Sequence, residues 1–280
     1  MKSFVFSITL VLSILIACSA QAQTLTRYDD FNGPLLDQTK WVVVNDGGDD
    51  VASLEGGMKI QKGKLNFFNR AFGGIGSNTG MQYMQRELVI KEGSAYNTME
   101  SSVQIMSYQT TGCAANLLGS VASVRIGGYF FNDGTSSGAG DLTGNYFAYI
   151  NLYRYSNSHD DEGLWRATAK VYRCEDAVCT PSLASLIGDD FFSDQQIKVK
   201  KKVRLFIQLN KTTNQFYFQV GSAKKGPQAS IGYSADDTNG PRGDYGGLKR
   251  IEVSHGLANC TAGPTTGWID AVFDYVSVGP

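Results

Sequence analysis

The chain has 280 residues, of which 25 are basic and 26 acidic, for a formal charge of −1, and 42% are hydrophobic. A balance this close excludes a basic stripe for a nucleic-acid backbone, and no acidic tail is present. The length suffices for one large domain with a sizeable core.

The first residues read as a leader. Lys2 precedes an apolar run from Phe4 to Ile16 that is too short to span a bilayer, and Ala20-Gln21-Ala22 is a small-x-small cleavage site. Residues 1–22 are therefore a signal peptide, with the mature domain over 23–280. Leu15-Ile16-Ala17-Cys18 also fits a bacterial lipobox, which would end the leader at residue 17 and make Cys18 the lipidated first residue. The first reading predicts a secreted, extracellular or cell-surface protein, the second an outer-membrane lipoprotein. No later stretch is apolar enough to span a membrane. Loss of Lys2 takes the charge from −1 to −2.

Cleavage at Ala22 leaves Cys113, Cys174, Cys179 and Cys260. An even number in an exported chain points to disulfides, and four cysteines allow three pairings. Cys174 and Cys179 enclose four residues, so a local bridge pinning a turn is expected, and Cys113 with Cys260 follows by elimination. Zinc is the alternative, but the spacing fits no common ligand pattern, and His159 and His255 are the only histidines.

In chain order, Met58 to Phe68 reads as two short strands turning at Lys62-Gly63, followed by a loop from Gly73 to Gly80. Strand patterns recur at Arg86 to Ile90, Ser102 to Tyr108 and Val121 to Asn132, and Gly134 to Gly144 is a loop. In Asn145 to Tyr155, Ala148, Ile150 and Leu152 make an apolar face, and Tyr149, Asn151, Tyr153 and Tyr155 the opposite one. Trp165 to Tyr172 alternates likewise. Leu183 to Phe192 is read as one short helix. Val203 to Leu209 and Gln215 to Val220 form a hairpin around Lys211 to Asn214. In the closing run, Ile269, Ala271, Phe273 and Tyr275 alternate with Trp268, Asp270, Val272 and Asp274. So apolar a closing strand must lie inside a sheet. Period-2 segments dominate, and 32 glycines and six prolines supply many turns. The fold class is all-β, one β-sandwich domain with no internal repeat or linker.

Asp30, Phe31, Gly33, Leu36, Asp37 and Trp41 near the start, with Ile269, Asp270, Asp274, Tyr275, Val276 and Val278 at the end, resemble the two ends of concanavalin A-like lectin/glucanase jelly rolls. That superfamily includes family 16 glycoside hydrolases and laminin G-like modules. The resemblance implies two antiparallel sheets with the N- and C-terminal strands adjacent. It also implies a structural Ca²⁺, held by Asp274 with Asp30 and the carbonyl of Gly63 as neighbours. The family 16 catalytic pattern, Glu-x-Asp-x-x-Glu, is missing: Glu87, Glu92 and Glu100 stand outside it, and Met99 to Ile105 resembles a non-catalytic strand of that family. Arg86-Glu87-Leu88, Val103-Gln104-Ile105 and Tyr217 to Gly221 resemble motifs of jelly-roll alginate lyases, but Met106 stands in place of their histidine and Gln219 in place of their lysine.

The acidic runs Asp49-Asp50, Asp160-Asp161-Glu162, Asp189-Asp190 and Asp236-Asp237 read as solvated loops, and no Ser or Cys context marks a nucleophile. What remains is a binding face. Tyr149, Asn151, Tyr153 and Tyr155 could be joined by Arg125 and Tyr129 from one neighbouring strand and by Arg166 or Lys170 from the other. Sugars offer C–H faces that stack on rings and hydroxyls that need fixed donors and acceptors. The expected function is thus an exported, lectin-like glycan-binding domain with no catalytic residue to name. The alternatives are a glycoside hydrolase or lyase with non-standard residues, and a structural module that contacts protein.

Overall fold

The computed structural model describes residues 24–46, 53–161, 163–192, 194–222, 226–243 and 248–280. The predicted leader, Cys18, Asp49 and Asp50 lie outside these. Among the described residues, sixteen strands follow in chain order. The first five are β1 (Thr26–Asp29), β2 (Trp41–Asp46), β3 (Ser53–Ile60), β4 (Leu65–Phe72) and β5 (Met81–Ile90). A 3-10 turn at Gly93–Ala95 leads to β6 (Thr98–Thr110), β7 (Val121–Asn132), β8 (Asn145–Tyr155) and β9 (Leu164–Arg173). Then come β10 (Ser185–Phe191), β11 (Gln196–Lys198), β12 (Lys202–Asn210) and β13 (Gln215–Val220). The last are β14 (Gln228–Gly232), β15 (Arg250–Ala258) and β16 (Thr266–Gly279). Among the described residues, no helix is long and apolar enough to cross a membrane.

Two antiparallel sheets result. The first runs β14-β13-β12-β6-β16-β4-β3, with β1 added to β16; the second runs β10-β9-β8-β7-β15-β5-β2, with β11 added to β9. Thr26 pairs with Val278 and Arg27 with Ser277, so the chain ends meet in one sheet. Asp29 fastens this junction: it accepts hydrogen bonds from the Phe31 amide (2.8 Å) and the Trp41 indole (2.7 Å). Phe31 and Trp41, both buried, stack on each other.

Alternation places the core. Phe67, Val103, Ile105, Leu205, Ile207, Phe216, Phe218, Ile269 and Phe273 of the first sheet face Leu88, Val124, Ile126, Ile150, Leu152, Trp165, Ile251 and Val253 of the second. Each such side chain stabilises the fold by about 1.5–3 kcal/mol when fully buried. Both disulfides have the expected partners, Cys113 with Cys260 and Cys174 with Cys179, at Cα separations of 5.6 and 4.7 Å. They fit an oxidising compartment.

Two expectations are corrected. Leu183 to Phe192 holds no helix: Ser185–Phe191 is a strand along the edge of β9, where Gly188 takes a φ of +74° and the register slips between Ile187 and Phe191. Tyr275 does not share the face of Phe273. A bulge at Asp274 shifts the alternation, turning Val276 and Val278 into the core and Tyr275 outward, where its hydroxyl donates to Glu100 at 2.6 Å.

Candidate functional site on the outward face of the second sheet

Register assembles this face in rows that cross β5, β15, β7, β8 and β9. Tyr83, Gly256, Val121 and Tyr155 form the first row, and Gln85, Ser254, Ser123, Tyr153 and Arg166 the second. The third is Glu87, Glu252, Arg125, Asn151 and Thr168. Arg250, Gly127, Tyr149 and Lys170 follow, then Tyr129, Phe147 and Tyr172.

The first two rows are open. Tyr83 is 68% and Tyr155 43% exposed, and Tyr153 is half-buried. Their rings stand on strands three spacings apart, about 14 Å, around a floor of small residues. A Cβ on Gly256 would lie 2.9 Å from Tyr83 Cε1 and 2.9 Å from Val121 Cγ1, so the Tyr83 ring lies across the Gly256 backbone. Ser123 and Ser254 share a hydrogen bond of 2.7 Å beside it. Tyr153 and Tyr155 meet edge to face at 5.6 Å. Burial pushes the Tyr153 hydroxyl above the ordinary phenol value, so it stays a protonated donor at neutral pH.

The remaining rows are closed by their own ion pairs. Glu87 and Glu252 are direct cross-strand partners, 3% and 0% exposed. Arg250 bridges them, Nη1 at 3.2 Å from Glu87 and Nε at 3.3 Å from Glu252, and Arg125 reaches Glu252 at 3.4 Å. Burial alone would raise the Glu252 carboxyl, but Arg125, Arg250 and a hydrogen bond from Ser254 outweigh it and hold it below the usual range. Arg125 also lies 4.6 Å above the Tyr149 ring, which stacks on Tyr172. Tyr129 is buried against Phe147, and its hydroxyl is raised by that burial. On β9, Arg166 makes a two-pronged pair with Asp160 at 2.7 and 2.9 Å, and Lys170 pairs with Asp190 at 3.1 Å.

The residues expected on one face from sequence do share it, but they divide. Tyr153, Tyr155 and Arg166 border the open end, whereas Tyr149, Arg125 and Tyr129 are engaged with neighbours. Asn151 sits between, its buried Oδ1 without a hydrogen-bond partner among the described residues. Tyr83, Gly256, Ser123 and Ser254 had not been picked out. Their signal was a partial alternation: in β15 Arg250, Glu252 and Ser254 alternate with Ile251 and Val253, whereas in β5 Tyr83, Gln85 and Glu87 alternate with Met84 and Leu88 but also with the buried Arg86. Asp160 and Asp190 belong to acidic runs read as solvated loops, yet they anchor the cations of β9.

The implied calcium site does not fit these residues. Asp30 accepts from the Asn32 amide and side chain, and a Cβ on Gly63 would lie 2.5 Å from Asn32 Oδ1, so these two meet around Asn32. Asp274 is already taken up by cations: one oxygen pairs with Lys64, the residue after Gly63, at 3.2 Å and the other with Lys202. Two ammonium groups stand where a cation would need to be. Among the described residues, no three His, Cys, Asp or Glu side chains converge. The lyase-like fragments are also separated, with Arg86 to Leu88 in the second sheet and the other two in the first.

No family model matches the sequence, and no curated protein does. Among solved structures, several are similar to this chain over most of its length at low identity and low TM-score. A legume lectin-like domain from Entamoeba histolytica is 9% identical, with a TM-score of 0.33 over 80% of this chain and 88% of that one. A glycoside hydrolase family protein from Mycobacterium thermorestibile is 13% identical, with a TM-score of 0.40 over 89% and 97%. A lectin from Bauhinia forficata, solved in complex with GalNAc, is 8% identical, with a TM-score of 0.29 over 85% and 99%. The fold is a concanavalin A-like sandwich.

Proposed function

We propose that this concanavalin A-like chain binds a glycan of no net charge at the open end of the second sheet's outward face, and does so without hydrolysing it. The observation that carries the reading is the exposed Tyr83 and Tyr155, with the half-buried Tyr153, around the small, hydroxyl-bearing floor of Gly256, Ser254 and Ser123. Rings receive the C–H faces of a sugar, and the phenol and serine hydroxyls serve as donors and acceptors. Charge favours a neutral ligand. Arg125, Arg250, Arg166 and Lys170 each already face a carboxylate, so an acidic sugar would have to displace one and lie beside it.

Glu87 and Glu252 are the one observation that favours hydrolysis, because two neighbouring carboxylates are what glycosidases use. Against it, a general acid must hold a proton near neutral pH, while Glu252 is held ionised by two guanidiniums and both side chains are buried. A glycan array probed with the mature domain tests the proposal. Signal on neutral glycans that Tyr83→Ala removes supports it; release of reducing ends from the bound glycan, lost in Glu252→Gln, would replace it with hydrolysis.

A further inference from the structure

The tyrosine platform ends at Tyr155, and Tyr155 also lines a cleft of about 460 Å³ that wraps around the end of the sandwich. The volume lies in the range of small-molecule sites, about 300–1,000 Å³. The first sheet supplies its other wall. Trp268, half-exposed on β16, is oriented by an indole N–H that donates to Gln109 Oε1 on β6 at 2.9 Å. Tyr108 lies deeper, edge-on to Trp165 with ring centroids 5.1 Å apart, and the Arg154 guanidinium stands 5.8 Å over it.

The cleft has preformed walls. Arg154 donates to the carbonyls of Asp160 and Asp161, fixing the turn after β8. On the other side the Lys200 amide donates to the Ile105 carbonyl at 2.8 Å, and Gln104 Nε2 donates to the Lys200 carbonyl at 2.8 Å. Between them, Met106 is the extra residue of a bulge in β6, opposite the Asp270–Ala271 step of β16. Bulges re-aim the side chains that follow, and here Gln109 follows, opposite Trp268. The buried Thr110 hydroxyl on this wall makes no hydrogen bond within the described chain. Aromatic faces interleaved with amide and hydroxyl groups repeat the chemistry of the tyrosine platform.

We infer that the cleft between Tyr155 and Trp268 is a second subsite that continues the first, so that the ligand is a chain of several sugars crossing from Tyr83 past Tyr155 to Trp268. The inference rests on the glycan-binding reading and adds to it polymer length and the residues Trp268 and Gln109. A short oligosaccharide covers only the tyrosines. A longer one also reaches the indole and binds more tightly.

The test uses the mature protein on printed series of neutral oligosaccharides, β-1,3-glucan, β-1,4-glucan, β-1,4-xylan and β-1,4-mannan, each from a disaccharide upward. On the series it binds, affinity should rise with length. Trp268→Ala should then remove about tenfold from the longest members, as for other aromatic stacking contacts, and leave the shortest unchanged. Trp268→Phe, which keeps a ring, should retain most of the gain and guards against a folding defect. Length-independent binding, or equal loss at every length in Trp268→Ala, would overturn the subsite while Tyr83→Ala still established the platform. No binding to any of these series would overturn both readings.

Discussion

Gly256 shows how a missing side chain builds a site. Besides the Tyr83 and Val121 contacts, a Cβ there would lie 2.6 Å from Met81 Sδ, so alanine must push the Tyr83 ring off its seat. Overpacking of this kind costs about 1–3 kcal/mol. Gly256→Ala is therefore expected to lower both stability and glycan affinity, whereas Tyr83→Ala, at an exposed ring, lowers affinity alone; calorimetric melts beside binding titrations separate the two. His255, next in sequence, faces the core, where Gly267 leaves it room. Burial pulls its imidazole down to about 4, while the unfolded chain titrates near 6.5. As pH falls, the unfolded state takes up this proton first. The contribution is complete above pH 6.5 and is lost between about 6.5 and 4, on the order of 3 kcal/mol. Chemical denaturation across that window should show the slope, and His255→Met should flatten it. At this scale the sequence was half legible. The outward set Tyr149, Asn151, Tyr153 and Tyr155 lies on one strand and needs only period 2, but Tyr83 over Gly256 is a cross-strand meeting that no local pattern encodes.

Among the elements, strands with clean alternation were read and those whose alternation breaks were misplaced. β12 alternates without interruption, and β8 does so from Tyr146 to Tyr153. In β16 the bulge at Asp274 adds a residue, so the reading inverts from Tyr275 onward. β10 carries Gly188 and two aspartates, a composition poor in strand formers, and exists because β9 offers an edge to pair with. β15, between β7 and β5, carries Glu252 and Arg250 outward, so its apolar content is low for a central strand; their mutual pairing lets it lie there. The cysteines constrain elements unequally. Cys113–Cys260 closes 147 residues and Cys174–Cys179 only 5. By chain entropy the first is worth roughly 5 kcal/mol and the second roughly 2 kcal/mol. Cys113→Ala/Cys260→Ala should therefore lower the denaturation midpoint more than Cys174→Ala/Cys179→Ala; the reverse order would show that the long bridge constrains little in the unfolded chain.

For the whole molecule, the adjacency of the ends was legible because Phe31 and Trp41 near the start and the apolar run at the end are residues of one junction, although the carboxylate that fastens it is Asp29 rather than Asp30. The ions at that junction were not, since the partners of a carboxylate depend on which strands lie beside it. β16 lies between β6 and β4, which brings Lys202 of β12 and Lys64, next to β4, to Asp274. Asp274 is thereby held below the ordinary carboxylate value: burial would raise it, and the two lysines outweigh that. A calcium ion there would have to expel both ammonium groups. Pairs whose lysines are this exposed contribute about 0–1 kcal/mol each and weaken with salt. Thermal melts in EDTA and in excess Ca²⁺ should therefore superimpose. Asp274→Asn should lower the melting temperature slightly at low ionic strength, with the difference closing as NaCl is raised. A rise with Ca²⁺ that Asp274→Asn abolishes would instead mean that calcium displaces Lys64 and Lys202, and that the ion joins the two ends of the chain.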